Sequence, residues 1–136
     1  MLEVFTDGAT VGHNGKLGTV QEVGLGVYIP AFEIKISKRE KGISNNEAEF
    51  KALILAMEKI IELGLEENTI YFFMDSQIVV NRANGKRAKG KYKNERMDAF
   101  QDDVFKLAKM IKDPVFMWVP RESNTMADAL SKQACE

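Results

Sequence analysis

Residues 1–7 (MLEVFTD) alternate apolar and polar side chains, which predicts a strand. Residues 8–21 carry four glycines and predict a long loop. Strand patterns at 23–29 and 32–38, joined through Pro30-Ala31, read as an antiparallel hairpin, with Phe32, Ile34 and Ile36 on one face. A helix is predicted from Ser44, where Ser44-Asn45-Asn46-Glu47 has capping-box form, to about Leu63 before Gly64. Residues 69–74 form a nearly continuous apolar run, as in a parallel strand covered on both faces. A short helix from Ser76 to about Ala83 and a lysine-rich loop at 85–94 follow. The next helix, 95–112, sets Met97, Phe100, Val104, Leu107 and Ile111 at helical spacing. A strand at 115–119, with Met117 and Trp118 expected in the core, and a last helix at 124–134 complete the chain. With right-handed crossovers, β-β-β-α-β-α-α-β-α makes a mixed five-stranded α/β domain.

Composition narrows this further. A chain of 136 residues, 45% hydrophobic, suits one domain over 1–136 and is too short for a TIM barrel of about 250 residues. With 29% charged residues and only 3 Pro, it does not have a disordered composition. No apolar run is long enough to span a membrane, so no membrane partner is expected. The N-terminus opens directly on a strand pattern rather than a signal peptide. Cys135 is the only cysteine, so no intrachain disulfide forms, which suits the cytoplasm. Charges of 19 against 20 leave a net −1, which argues against a uniformly basic nucleic-acid binder.

Four acids stand out. Asp7 and Asp75 each end a strand, at the edge where open α/β sheets bind ligands. Turn or N-cap duty is the plainer reading for either alone. On the helix at 45–63, at about 100° per residue, Glu47, Lys51, Glu58 and Glu62 share a solvated face. Glu49 falls opposite, among Ala52, Leu53, Ala56 and Ile60, where an ionised carboxylate is costly. The capping box accounts for Glu47; nothing local accounts for Glu49. Asp128 lies off the stripe of its helix, and periodicity leaves it as a dipole-complementing acid. Clustered carboxylates could serve as general acid and base on a sugar. Three or four hard oxygens instead suit Mg²⁺, and two such ions can hydrolyse a phosphodiester.

Segments FTDGA at 5–9, SNNEAEFKAL at 44–53, MDSQ at 74–77 and WVPRESNTMADALSK at 118–132 occur in the order found in type 1 ribonucleases H. The chain resembles that family over nearly its whole length. The resemblance implies an α/β, ribonuclease H-like fold whose mixed five-stranded sheet has order 3-2-1-4-5, strands 1–3 antiparallel, flanked by helices. It implies a hydrolase: a metal-dependent endonuclease cutting the RNA strand of RNA/DNA hybrids to leave 3′-hydroxyl and 5′-phosphate ends. The implied catalytic and metal-binding residues are Asp7, Glu49, Asp75 and Asp128, with two Mg²⁺ ions, or Mn²⁺, as cofactor. Asn45, Asn46 and Gln77 match minor-groove contacts, and Ser44 a contact to the DNA backbone. For Ser44 and Asn45 the capping role stays equally open. Asn124, Arg121, Lys86, Arg87 and Lys89 complete the expected substrate-binding set, with Lys38, Arg39 and Lys41 as further phosphate contacts. The partner is the hybrid alone; a monomer without an obligate protein partner is expected.

The chain departs from the family in three ways. Arg121 stands in a shortened loop where well-known members carry a mobile histidine, and it cannot take a proton near neutral pH. The only histidine, His13, lies in the first loop and reads as a solvated position. That loop is longer than the usual Gly-Asn-Pro-Gly type, so the family's asparagine role is not carried over to Asn14. The helical basic handle is absent, and Lys86, Arg87, Lys89, Lys91 and Lys93 stand in its place, around Tyr92. The altered histidine loop leaves a weakly active or inactive hybrid-binding module, or another nuclease of the superfamily, as the alternative.

Overall fold

Pairing between strands, more than side-chain pattern, sets where the elements begin and end. The computed structural model describes residues 1–10, 20–87 and 94–136. Strand β1 (Leu2–Thr10) pairs antiparallel with β2 (Gln21–Ile29), which pairs antiparallel with β3 (Ile34–Gly42). Strand β4 (Thr69–Met74) runs parallel to β1 and β5 (Asp113–Trp118) parallel to β4, giving the order β3-β2-β1-β4-β5. Helices α1 (Asn45–Glu62), α2 (Gln77–Ala83), α3 (Glu95–Ala108) and α4 (Thr125–Ala134) complete the fold. The topology is the ribonuclease H-like one that the sequence segments imply. No helix among the described residues is long and apolar enough to cross a membrane.

The core forms where α1 lays Phe50, Leu53, Met57 and Ile60 on Val4, Ile29, Ile70 and Phe72 of the sheet. Ser44 caps α1 by accepting the Glu47 N–H at 3.2 Å, and Gly64 leaves the helix at φ 71°. Beneath α2 and α3, Arg82 donates to Asp98 at 2.9 Å, and Gln101, fully buried, donates to the carbonyls of Arg82 and Lys86. A buried pair of this kind needs its hydrogen bonds satisfied, and here the two helices satisfy each other.

Several boundaries and faces differ from the sequence reading. Strand β1 runs on past Asp7, because β2 continues to pair with it (Asp7 with Gly26, Thr10 with Val23) after β4 has turned away. A 3-10 turn at Pro30–Phe32, closed by Glu33 at φ 52°, swings Phe32 outward to 52% exposure instead of onto the face of Ile34 and Ile36. Strand β3 extends through the charged residues 39–41 to Gly42, whose backbone pairs with 21–24 regardless of side chain. Helix α3 ends at Ala108, and β5 starts at Asp113, two residues before the apolar pattern. Pro114 is tolerated there because β5 is an edge strand. Met117 and Trp118, expected in the core, are 43% and 46% exposed. Helix α4 covers β1, β2 and β3, leaving the face that carries Met117 open, while Trp118 sits at the strand's last position.

Candidate active site

Asp7 sits in the middle of a strand at 5% exposure, and a glycine beside it admits a helix to its neighbourhood. A Cβ on Gly8 would lie 2.4 Å from the Ala48 carbonyl carbon and 2.5 Å from the Glu49 nitrogen. Only a bare backbone lets α1 approach so closely, and this contact sets Glu49 next to Asp7. On β2 a Cβ on Gly26, the residue paired with Asp7, would lie 2.2 Å from the Ala127 carbonyl oxygen. Helix α4 therefore rests on the β2 backbone, and the residue after Ala127 is Asp128. Asp75 follows β4 directly and precedes Ser76, the N-cap of α2.

Carboxylate oxygens of Asp7, Glu49 and Asp75 all lie within 4.8 Å of one another. Asp128 stands outside this trio but close enough to act on Asp7, and it pairs with Lys132 at 3.0 Å. Burial first, then the neighbouring charges of Asp75, Glu49 and Asp128, push Asp7 up to about 8. Burial likewise lifts Glu49 to about 7, opposed by a hydrogen bond from Ser76 and by the charge of Arg121. The hydrogen bonds to Lys132 and Asp7, with the charges of Lys132 and Arg121, outweigh partial burial and hold Asp128 below its ordinary value. Two buried acids that resist ionisation, Asp7 and Glu49, fit a site completed by positive charge. The donors are hard carboxylate oxygens, the set that divalent Mg²⁺ or Mn²⁺ accepts.

This electrostatics has a measurable consequence. Raised carboxyl values mean that the folded, metal-free protein holds protons which the unfolded chain has released. The stabilisation is thus fully present below pH of about 4 and is lost as pH rises through about 7 to 8. In urea titrations with a chelator, unfolding free energy is expected to fall by several kcal/mol, about 6 kcal/mol at most, between about pH 5 and 8. Added divalent cation should remove most of that fall. Stability that stays flat or rises over the same window would mean that Asp7 and Glu49 ionise normally.

The expected substrate residues divide. Asn45, Asn46, Ser44 and Gln77 lie at the N-terminal turns of α1 and α2, and none is buried. Asn45 Oδ1 accepts the Thr10 N–H at 3.2 Å, and Gln77 donates to Asn81 at 2.9 Å. Arg121 is exposed in the 3-10 turn before α4, and its charge acts on Glu49 and Asp128. Asn124 differs from the expectation: 1% exposed, it donates through Nδ2 to the Thr6 carbonyl at 2.9 Å and to Asp75 Oδ2 at 3.1 Å. It holds an acid in place from inside the protein. Arg87 also differs, since its guanidinium is taken by Gln101 and Asp102, both at 2.6 Å. Arg39 is likewise taken by the carbonyls of Ala134 and Glu136, and Lys38 by Glu40. Lys86 and Lys41 are exposed. Lys89, Lys91, Tyr92, Lys93, His13 and Asn14 lie outside the described residues.

Sequence reasoning missed three features. Ser76 opposes the raised pKa of Glu49, a role hidden behind its visible N-cap duty. The Trp118 indole donates to the Asp75 carbonyl at 3.2 Å, at the rim of the site instead of in the core. Glu47, assigned to the solvated face, is 2% exposed and bound by Arg96. No local pattern could reveal a partner so distant in sequence.

The sequence profile of the family described as "Reverse transcriptase-like" matches residues 30–134. EbsB of Enterococcus faecalis, whose name carries a provisional hydrolase designation, is 33% identical over 137 residues, covering 100% of this chain and 95% of its own. The Mycobacterium tuberculosis "Bifunctional protein Rv2228c" is 28% identical over 136 residues, and the match spans 98% of this chain but 35% of that one. Among solved structures, LC11-RNase H1 in complex with an RNA/DNA hybrid superposes with TM-score 0.79 at 25% identity, over 99% of this chain and 96% of the other. RNase H1 of the archaeon Halobacterium salinarum gives TM-score 0.73 at 24% identity, over 98% and 96%.

Proposed function

Because the chain belongs to the reverse-transcriptase-like family of ribonuclease H-like proteins, we propose that it is a metal-dependent endonuclease that cuts the RNA strand of RNA/DNA hybrids. The observation that carries this reading is the convergence of Asp7, Glu49 and Asp75 at the sheet edge, with oxygens within 4.8 Å. The similarity to a protein solved with a hybrid bound supports the choice of substrate.

In this reading Asp7, Glu49, Asp75 and Asp128 would hold two divalent ions, Mg²⁺ or Mn²⁺. When bound, such ions activate water and stabilise the leaving oxygen of a phosphodiester. The remaining work falls to the chain. Asn124 keeps Asp75 in one orientation, so this carboxylate does not have to find its place during turnover, and Ser76 beside Glu49 favours its ionised form. Asp128, whose carboxyl the hydrogen bond and charge of Lys132 hold below its ordinary value, would complete the ligand set beside Asp7. Arg121 offers a guanidinium to phosphate charge. The amides of Asn45, Asn46 and Gln77 both donate and accept, as reading 2′-hydroxyls and base edges in a minor groove requires. Ser44 and Lys86 hold the backbones. Products are a 3′-hydroxyl and a 5′-phosphate.

The test is a labelled RNA/DNA hybrid with Mg²⁺ or Mn²⁺, run beside duplex DNA and single-stranded RNA. Cleavage confined to the RNA of the hybrid is the expected result. Binding without cleavage under either metal would replace the enzyme with a hybrid-binding module, and cleavage of duplex DNA would point to another nuclease of the same fold.

A further inference from the structure

We propose that Arg96 contacts the backbone of the bound nucleic acid, and that the buried carboxylate of Glu47 is the positioning residue that holds it there. This rests on the nuclease reading above. Glu47 lies in the first turn of α1, next to Asn46, with a side chain 3% exposed. A carboxylate so placed must be matched by a cation or hydrogen bonds. A complete capping box would turn it back to the Ser44 N–H. Here Ser44 accepts the Glu47 N–H, but the carboxylate goes elsewhere, to Arg96 Nε at 3.1 Å and Nη2 at 2.6 Å.

The pair joins the first turn of α1 to the first turn of α3 across 49 residues of sequence. It is strongly asymmetric: the Arg96 side chain is 56% exposed against 3% for its partner. Leaving the cation in solvent spares its desolvation and also leaves part of the guanidinium open to a ligand. Among the described residues Nη1 of Arg96 has no hydrogen bond, so one edge of the fork is held by protein and the other faces outward. A free surface arginine loses considerable rotamer freedom when it grips phosphate; Glu47 removes that freedom in advance. The location also suits an anion. Ser44, Asn45 and Asn46, the strand contacts proposed above, lie in the same turn as Glu47, and Asn94 caps α3 through the Met97 N–H at 3.1 Å.

The double variant Glu47→Gln/Arg96→Gln leaves net charge unchanged and allows an amide pair between the helices. Cleavage kinetics are measured for it, and hybrid affinity between 50 and 200 mM KCl in an Asp75→Asn background. We expect KM to rise about tenfold with kcat within about twofold, and the slope of log affinity against log salt to weaken by about one. Arg96→Lys, a change at an exposed site, should keep the slope and raise KM about threefold, because a lysine cannot hold the fork. Wild-type KM and salt slope in the double variant would overturn the inference, whatever its melting temperature. A wild-type KM for Arg96→Lys would overturn the positioning role of Glu47. A native protein that neither binds nor cleaves hybrid overturns both readings, whereas native activity with an unaltered double variant overturns only this one.

Discussion

Asparagine in place of Asp75 is expected to leave a folded protein that cleaves hybrid at least about 10³-fold more slowly. The fold should tolerate the change, since the new carboxamide oxygen can still accept the Asn124 Nδ2 hydrogen bond that Asp75 accepts at 3.1 Å. What disappears is one negative charge from a trio whose oxygens lie within 4.8 Å. Charge stabilisation at such a site amounts to several kcal/mol, and about 1.4 kcal/mol is a factor of ten in rate. The same loss removes a repulsive neighbour of Asp7 and Glu49, so both should ionise at lower pH. The metal-free variant should therefore hold its stability better than wild type toward pH 8. Cleavage within tenfold of wild type, at equal protein and metal concentration, would rule out Asp75 as an essential ligand.

Gly8→Ala should damage both stability and activity, although it adds a single methyl. The new Cβ would fall 2.4 to 2.6 Å from backbone atoms of Ala48 and Glu49. Those atoms belong to an 18-residue helix seated on the core, which cannot yield locally as a side chain would. Helix α1 must lift, at a cost of about 3 kcal/mol or more, toward the upper end for overpacking. Glu49 moves with it, and a displacement of about 1 Å at a reacting centre costs on the order of 10²-fold in rate. Gly42→Ala is the matched control, because its Cβ would meet no backbone, only the ends of side chains: the Val23 methyls at 3.3 and 3.5 Å and Glu47 Oε1 at 3.6 Å. Urea midpoints and cleavage rates of the two variants should differ sharply. A Gly8→Ala protein as stable and active as the Gly42→Ala control would mean that α1 does not depend on this close approach.

Much of the fold is legible in the residues because each element carries its own local signal. The Ser44 cap, the Gly64 stop and the apolar run at 69–74 are statements about neighbouring residues, and the structure agrees with each. Boundaries fail where a neighbouring strand supplies the information. Strand β3 continues through Arg39, Glu40 and Lys41 because its backbone finds partners on β2, and β1 outlasts Asp7 for the same reason. Met117 fails as a core residue because its burial depends on where α4 stops, which no pattern within β5 encodes.

The candidate site divides along the same line. Glu49 stands out in the sequence because a carboxylate on an apolar helix stripe is energetically anomalous, and Asp7 and Asp75 because they end strand patterns. Their types and positions, the element order and the four motif segments belong to the sequence by itself. Only tertiary structure decides that these three acids meet, that Asn124 faces inward to hold Asp75, and that Glu47 is buried against Arg96 while Arg87 is spent on α3. The physical reason is range. Propensity, capping and periodicity act over a few residues, whereas burial, ion pairing and a raised pKa depend on groups that the sheet brings together from far apart in the chain.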